Sequence, residues 1–444
     1  MKEQEKANRY VAFSANENGV KFIRLWFTDI LGNLKGFAIT VDELEEVLNN
    51  GASFDGAVIK ANARSDESDM IALPDSSTWQ ILPWRPSENS VGRLFCDINN
   101  PDGSQSEYDS RNVLKNTIAK CSKLGLNYYV APEIEYYYIN PETKNLLNDH
   151  SGYFDQSSVD SISSDLRRET VLSIESMGIP VKHSHHEGAN AQQEIDLRHT
   201  NALTMADSVI TFRLAAKEIA SKSGYYASFM PRPHQDHNGS GMHTNISLFE
   251  GGKNIFYNPK NPNELSPLGK NFFAGLIKHS PEICLITNQW INSYKRLTPG
   301  IEAPVLASWT IGDMNSLIRI PSYRPGREES VRIEYRLPDS ATNPYLTFSI
   351  ILAAGLKGIE EKYDLPKPIT TNLSDMSSRD LNKFGIKFLP KTLNEAILLA
   401  ENSELISNCL GNPLKKIFIE NKKIEWEDFS RSVTDYEIKK YLFL

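Results

Sequence analysis

Cysteine is scarce in this chain and shows no paired spacing. The four cysteines, Cys96, Cys121, Cys284 and Cys409, are scattered over 444 residues. This arrangement suggests neither a disulfide framework nor a zinc ribbon, so we expect reduced thiols. Positive charge is also in deficit, because the formal net charge is −8 at pH 7. Nucleic-acid binding normally requires a basic surface, so we expect no nucleic-acid partner.

Long apolar runs are missing as well. No stretch is long enough to cross a bilayer, and the charged first seven residues lack the apolar segment of a signal peptide. We therefore expect no membrane partner and a cytoplasmic location. The length of 444 residues leaves room for two or more domains and a large core.

Four segments alternate polar and apolar residues with the period of a β-strand. In residues 130–139, Glu133, Glu135 and Tyr137 share one face, so two carboxylates point the same way. Three other segments also place polar residues on one face. These residues are Glu194 in 192–197, then His243, Asn245 and Ser247 in 242–248, and Arg332, Glu334 and Arg336 in 331–337.

These polar faces suggest a metal site. If they line one cavity together with Glu187, five carboxylates crowd there, and such charges either take up protons or bind cations. Carboxylates with one or two imidazoles suit Mg²⁺ or Mn²⁺ better than Zn²⁺. The glycines in residues 238–243 would let the backbone approach a ligand closely. The alternative for each segment alone is an ordinary half-exposed strand.

The order of segments predicts an α+β chain. A hairpin over residues 21–40, a helix over 41–50 and strands near 80–84 and 93–97 would form a small first domain, ending at a turn-rich break near 99–103. The three histidines of residues 183–187 suggest either a transition-metal site or a solvated loop with one functional glutamate, and we expect the loop. Residues 293–304 are expected to form an irregular lid. Further helices are predicted over 110–125, 163–177, 200–223 and 343–361 and through most of the C-terminal segment.

The chain resembles the type I glutamine synthetases and the related γ-glutamyl-amine ligases. The resemblance runs almost end to end, through Arg24 to Gly32, the Glu133/Glu135 strand, His185 to Glu187, Asn238 to His243, Ser293 to Pro304, Leu317 to Pro321, Asn343 to Leu346 and Val433 to Tyr436. It implies a small β-grasp-like N-terminal domain, residues 1–102. A large catalytic domain, residues 103–444, would follow, built on a curved antiparallel sheet flanked by helices.

The resemblance also implies an activity and an assembly. ATP would phosphorylate the γ-carboxylate of L-glutamate, and ammonia would displace phosphate from γ-glutamyl phosphate, giving glutamine, ADP and phosphate. Two or more Mg²⁺ or Mn²⁺ ions per site would neutralise the transferring phosphoryl group. The homo-oligomer would be two stacked hexameric rings with active sites shared between neighbouring subunits.

Residue roles follow from matched positions in the resemblance. One metal would be held by Glu135, Glu187 and Glu194, and a second by Glu133, His243 and Glu334. Glutamate would be bound by Asn238, Gly239, Arg296 and Arg336. The nucleotide would be bound by Ser247, Arg319 and Arg332, and Arg319 would also be a catalytic residue. Asp55 from the neighbouring subunit would bind and deprotonate ammonium beside Tyr153 and Glu187, while Glu302 would close over the intermediate.

Several positions depart from the family pattern. Ala57 and Val58 stand where the family usually has two serines near the ammonium pocket, and Met314 stands in place of an arginine. Asn245 replaces a histidine, Ser374 aligns with the tyrosine of adenylylated members, and Arg64 alone is weak evidence of feedback control. Two alternatives therefore remain open: a γ-glutamyl-amine ligase for a polyamine or another primary amine, and a weakly active or non-catalytic homologue.

Overall fold

A computed structural model describes residues 2–63, 68–149, 151–156, 161–261, 264–300, 302–309, 316–368 and 386–444. Its N-terminal part is a mixed six-stranded sheet in the order β2-β1-β6-β4-β3, with β5 paired to β6. We call this the first sheet. Strands β1 and β6 are parallel, and the other pairs are antiparallel. The strands are β1 (Phe22–Thr28), β2 (Leu34–Thr40), β3 (Ala52–Asp55), β4 (Asp69–Pro74), β5 (Gln80–Ile81) and β6 (Val91–Asn99).

Two helices belong to this part of the chain. Helix α1 (Lys2–Glu17) was not expected from the sequence, whereas α2 (Leu44–Asn50) confirms the predicted helix. Val11 and Ala15 of α1 are fully buried, and Ser14 accepts a hydrogen bond from the indole of Trp79 at 2.9 Å. Helix α1 is therefore fixed to the first sheet by a narrow apolar stripe and a few polar contacts.

The larger part of the chain contains the second sheet, which has nine strands and only antiparallel pairs. The order is β14-β15-β12-β7-β9-β8, with β10 and β11 paired to β7 and β13 paired to β12. The strands are β7 (Leu126–Ile139), β8 (Val181–His186), β9 (Gln192–Leu197), β10 (Thr200–Asn201), β11 (Tyr226–Ser228), β12 (Met242–Glu250), β13 (Lys253–Asn254), β14 (Ile318–Arg319) and β15 (Ile333–Tyr335).

Helices flank the second sheet and build its core. Helices α6 and α8 pack so closely that a Cβ at Gly275 would lie 2.3 Å from the Ala354 carbonyl oxygen. The helices are α3 (Ser110–Lys123), α4 (Ile162–Ser176), α5 (Ala202–Lys222), α6 (Pro267–Thr287), α7 (Ser293–Arg296), α8 (Pro344–Glu360), α9 (Leu393–Glu401), α10 (Glu404–Leu410), α11 (Asn412–Arg431) and α12 (Asp435–Tyr441). Together the two sheets and these helices confirm the expected α+β fold.

A buried ion cluster joins the first sheet to the helices of the second. Arg111 of α3 contacts Asp75 and Asp97 at 2.8 and 2.6 Å, and Asp207 of α5 at 2.9 Å. The amide of Asn343 donates to the Ile30 carbonyl at 3.0 Å. These contacts fix the position of the first sheet relative to the site described below.

Three sequence expectations need correction. Residues 181–186 form β8 rather than a solvated loop, because they pair along β9. The strand expected over 80–84 has only two residues, and the one expected over 331–337 has only three. The predicted lid begins with the short helix α7. Within the described ranges no helix is both long and apolar enough to span a membrane, and all four cysteines are free.

Candidate active site

Pairing in the second sheet arranges polar side chains in two rows. Each row contains one residue from each of three neighbouring strands. Side chains two residues apart in a strand point to the same face, so both rows lie on the same side of the sheet. The opposite face of β7 is apolar, since Ile134 and Tyr136 are fully buried. The first row is His243, Glu133 and Asp196, and the second is Glu135, Glu194 and His185.

One of the two metal triads expected from the sequence is assembled. Glu133, His243 and Glu334 offer ligand atoms that all lie within 4.8 Å of one another. Glu334 is fully buried, and its two carboxylate oxygens accept hydrogen bonds from Arg319 Nε and Arg336 Nη1, both at 2.7 Å. Two carboxylates and an imidazole are a suitable ligand set for Mg²⁺ or Mn²⁺.

The second expected triad lies next to the first, since His243 Nε2 is 3.6 Å from Glu135 Oε1, but it is less compact. His185 lies between its members, with Nδ1 3.5 Å from Glu187 Oε1 and Nε2 3.4 Å from Glu194 Oε1. Glu135 Oε2 accepts from Gly241 N at 3.0 Å. Within the described part of the chain, Glu194 forms a group with His185 and Asp196 whose ligand atoms all lie within 4.8 Å of one another, and Glu194 also forms a side-chain hydrogen bond with Glu187.

Sequence reasoning missed Asp196 as a member of this cluster, and it weighed a metal site at the histidines of residues 183–187 but preferred a solvated loop. Asp196 follows Glu194 by two residues in β9, so the period of two was an available signal. His185 was assigned to a solvated loop, and only its pairing with Glu194 across β8 and β9 places it in the cluster.

The crowded charges shift the pKa values of the cluster. Burial, together with the nearby charge of Glu187, raises the pKa of Glu135 to about 8. Burial also raises the pKa of Glu194 well above its usual value, with the charge of Asp196 adding to the effect. Burial and the charge of Arg336 lower the pKa of His243 to about 4, which leaves its imidazole neutral at pH 7 and able to bind a metal.

Glu133 differs from its neighbours. Burial acts to raise the pKa of Glu133, but hydrogen bonds with His243 and Asn245 outweigh it and lower the pKa to about 2. The cluster therefore contains an ionised carboxylate next to others whose ionised form is disfavoured, and a cation placed among them would stabilise all of them in that form.

The expected glutamate-binding residues surround the His243 end of the site. Arg296 is 2% exposed, and its guanidinium donates to the carbonyls of Leu337 and Arg336 at 2.8 and 3.1 Å. A Cβ at Gly239 would lie 2.7 Å from Arg296 Cγ, so a larger residue there would displace the arginine. Asn238 is held through its carbonyl by the Tyr137 hydroxyl at 2.6 Å.

Two of the three expected nucleotide residues, Ser247 and Arg332, line a cavity at the other end of the site, whereas Arg319 lies beside Glu334. The cavity has a volume of about 270 Å³, and its walls include Glu133, Ser247 and Arg332. Arg332 Nε donates to Asn245 Oδ1 at 2.8 Å, and Asn245 Nδ2 donates to Glu133 Oε1 at 2.9 Å. Asn245 therefore connects a candidate phosphate ligand to a candidate metal ligand.

Three other expected residues lie at the edges. Tyr153 is 60% exposed, and its ring meets that of His185 edge to face at 5.8 Å. Glu302 has a left-handed backbone with φ of 55°, and its charge is among the causes that raise the pKa of Glu187, after burial. Asp55 ends β3 of the first sheet, is exposed, and accepts hydrogen bonds from Ala57 N and Ser68 N of its own loop.

Of the departures from the family pattern, Ala57 is buried and Val58 is half-buried, so both belong to the packed part of the Asp55 loop. Asn245 is described above. Arg64, Met314 and Ser374 lie outside the described residues.

The whole chain is similar to known proteins of one family. Residues 19–101 match the family described as "Glutamine synthetase, beta-Grasp domain", and residues 107–441 match "Glutamine synthetase, catalytic domain". The glutamine synthetase of Mycolicibacterium smegmatis is 47% identical, over 99% of this chain and 100% of the relative. That of Methanosarcina mazei is 43% identical, over 97% and 96%, and that of Thermotoga maritima 40%, over 96% and 98%.

Solved structures agree with these sequence relatives. The structure titled "GmaS/ADP complex-Conformation 1" superposes with a TM-score of 0.86 at 28% identity, covering 98% of this chain and 99% of that one. "Apo GmaS without ligand" gives a TM-score of 0.85 at 29% identity with the same coverage.

Proposed function

The chain belongs to the glutamine synthetase family, and we infer that it is a glutamate–ammonia ligase that makes glutamine from glutamate, ammonia and ATP. The observation that carries this inference is the group of Glu133, His243 and Glu334, whose ligand atoms lie within 4.8 Å of one another beside Arg319 and Arg336. Such a group combines a metal site with fixed positive charge, which phosphoryl transfer requires.

We propose that Mg²⁺ or Mn²⁺ is held at two places. Glu133, His243 and Glu334 would hold the ion next to the nucleotide, and Glu135, Glu187 and Glu194 would hold the other. These ions would supply charge neutralisation for the transferring phosphoryl group. Support comes from the donor set, since the raised pKa values of Glu135 and Glu194, caused first by burial, indicate carboxylates that need a cation to stay ionised.

The remaining residues would act on the substrates directly. Arg296 and Arg336 would bind the carboxylates of glutamate, with Asn238 and Gly239 shaping the pocket. Arg332 and Ser247 would bind ATP in the cavity, and Arg319, beside Glu334, would contact its phosphates. The γ-carboxylate oxygen would then attack the γ-phosphorus, and ADP would leave.

The second half of the reaction needs an amine. Ammonium would lose a proton to Asp55 or Glu187 beside Tyr153, and the free nitrogen would attack the acyl carbon. Expulsion of phosphate and loss of a second proton from the nitrogen would then give the amide. Glu302 would shield the γ-glutamyl phosphate from water. Its place in the expected lid, near the charge of Glu187, supports this role.

We also propose a ring assembly with shared sites. Asp55 is exposed at the end of β3, and its hydrogen bonds are to its own loop, so a neighbouring subunit could receive it. Two stacked hexameric rings would place this loop against the next subunit. The domain division at residues 102 and 103 belongs to the same proposal, and light scattering of the purified protein would test the assembly.

A second candidate is a γ-glutamyl-amine ligase. Ala57 and Val58 make the Asp55 loop less polar than two serines would, which would favour a carbon-bearing amine. The test is phosphate release from ATP with glutamate and Mg²⁺, comparing ammonium with putrescine and spermine and using Glu334→Gln as the inactive control. Release with ammonium supports the ligase for ammonia, release with an organic amine alone supports the alternative, and no release with any acceptor refutes both.

A further inference from the structure

The segment that follows Asp55 contains a strained residue. We call residues 55–63 the Asp55 loop. Ala61 in this loop has φ of 54° and ψ of −126°, which are the angles of the first central residue of a type II′ turn, where glycine is usual. Alanine is strained in this conformation because its Cβ crowds the backbone, and such a residue persists only where the surrounding structure holds it.

One side chain from the C-terminal part of the chain holds the loop on both sides of Ala61. Asn421 of α11 accepts a hydrogen bond from the Asn62 N–H at 2.8 Å and donates to the Lys60 carbonyl at 3.0 Å. The amide of Asn421 also donates to the Ile417 carbonyl within α11 at 2.9 Å. These three partners fix the orientation of the amide, since only its nitrogen donates and only its oxygen accepts.

Helix α11 is a firmly packed support for this contact. Leu414 and Phe418 are fully buried, and they lie on the same face of the helix as Asn421, which is 1% exposed. In the Asp55 loop, Ile59 is also fully buried, and its carbonyl accepts from Ile30 N at 3.0 Å. The loop is therefore held at two successive points, first by the chain just after β1 and then by α11.

We propose that Asn421 is a positioning residue for amine binding, because it fixes the turn at Ala61 and so holds the Asp55 loop in the shape that the neighbouring subunit receives. The inference rests on the proposed function, in which Asp55 binds and deprotonates ammonium across a subunit boundary. The partners of Asn421 are backbone groups, so it acts through the loop and not on the substrates. Its loss should weaken amine binding and leave nucleotide binding as it is.

Steady-state kinetics of Asn421→Leu test this role. Leucine is close to asparagine in size but makes none of the three hydrogen bonds. With glutamate, ATP and Mg²⁺, the KM for ammonium should rise about tenfold, as expected for the loss of one or two net hydrogen bonds. The KM for ATP should stay within about twofold of that of the unmodified protein. If the acceptor is an organic amine, the KM for that amine is measured instead.

A second variant and a matched control accompany it. Asn421→Ala removes the same hydrogen bonds without adding bulk, and it should raise the KM for the amine in the same way. Asn271→Leu is the control, because Asn271 is a half-buried amide of helix α6 that donates to the Tyr363 carbonyl at 2.8 Å. The control should leave the KM for the amine unchanged.

Glycine at residue 61 distinguishes positioning of the turn from a general loss of stability. Glycine adopts the backbone angles of Ala61 without strain. The double variant of Asn421→Leu and Ala61→Gly should therefore recover most of the affinity for the amine. A KM that stays as high in the double variant as in Asn421→Leu alone would show that Asn421 does not act through this turn.

Mixed assemblies test whether the loop acts on the neighbouring subunit. Chains with Asn421→Leu and chains with Glu334→Gln, carrying different affinity tags, are co-expressed, and assemblies that contain both are isolated. A site that combines the metal residues of the first chain with the Asp55 loop of the second has both parts intact. Part of the activity should therefore show the low KM of the unmodified protein.

Three results would overturn the inference in an active protein. They are an unchanged KM for the amine in both Asn421 variants, an equal rise in the KM for ATP, and mixed assemblies that show only the high KM. If instead the unmodified protein releases no phosphate with any acceptor, the proposed function itself fails, and the role of Asn421 fails with it.

Discussion

Replacing Glu135 with glutamine should make the metal-free protein more stable at alkaline pH. Glu135 is buried, and burial and Glu187 raise its pKa from 4.5 to about 8. The folded state therefore holds this proton more tightly than the unfolded state. The resulting stabilisation is fully present below pH 4.5 and is lost as pH rises through 8.

The size of the effect follows from the shift. Between pH 5.5 and 8.5, a carboxyl with these two pKa values loses about 3 kcal/mol of folding free energy. At roughly 2 cal/mol/K of unfolding entropy per residue, this corresponds to about 3 °C in melting temperature for a chain of 444 residues. Glutamine is neutral at every pH, and its oxygen can still accept the hydrogen bond from Gly241 N.

The assay is scanning fluorimetry in EDTA at pH 5.5 and 8.5, repeated with excess Mg²⁺. Without metal, ionisation of Glu135 alone should make the unmodified protein melt about 3 °C lower at pH 8.5 than at pH 5.5. This contribution should be absent in Glu135→Gln. Mg²⁺ should stabilise the unmodified protein at pH 8.5 more than the variant. Glu142→Gln, in the exposed loop after β7, is the control. A variant that keeps the full pH dependence would refute the reasoning.

Three other changes have expected outcomes. Arg111→Met should destabilise the protein by about 3–5 kcal/mol, because it leaves three aspartates without their shared cation; denaturant unfolding would detect this, and a change below about 1 kcal/mol would contradict it. Gly275→Ala should lower the melting temperature, since the added Cβ would lie 2.3 Å from the Ala354 carbonyl oxygen, and an unchanged value would show that α6 can move. Arg336→Lys should raise the KM for glutamate about tenfold or more, because lysine cannot bind a carboxylate with two parallel hydrogen bonds; initial rates would show it, and an unchanged KM would remove Arg336 from the glutamate site.

The long strands β7 and β12 explain why much of the site could be predicted. Each alternates polar residues with apolar ones such as Ile134 and Ile246, which are fully buried. Burial of the apolar residues determines which face of each strand packs against the core. Glu133, Glu135 and His243 must then lie on the opposite face. The alternation of polar and apolar residues along each strand was therefore enough to predict that these three side chains share one surface.

Strand β8 and helix α1 show where this reasoning stops. Strand β8 reads Val-Lys-His-Ser-His-His and has one apolar residue, so no alternation is visible and its structure depends on pairing with β9. Helix α1 buries Val11 and Ala15 in an otherwise polar segment. In both cases the partner, distant in sequence, determines the structure, and local patterns do not contain that information.

The crowding of carboxylates also bears on whether the chain is an enzyme or only a structural subunit. Burial raises the pKa values of Glu135, Glu194 and Asp196, so the ionised cluster opposes folding. A subunit without catalysis would be more stable with neutral residues there, whereas phosphoryl transfer needs cations held in a fixed place. Glu135→Gln separates the two roles. In an enzyme, this substitution should both stabilise the metal-free protein and abolish ligase activity. A structural subunit would only become more stable.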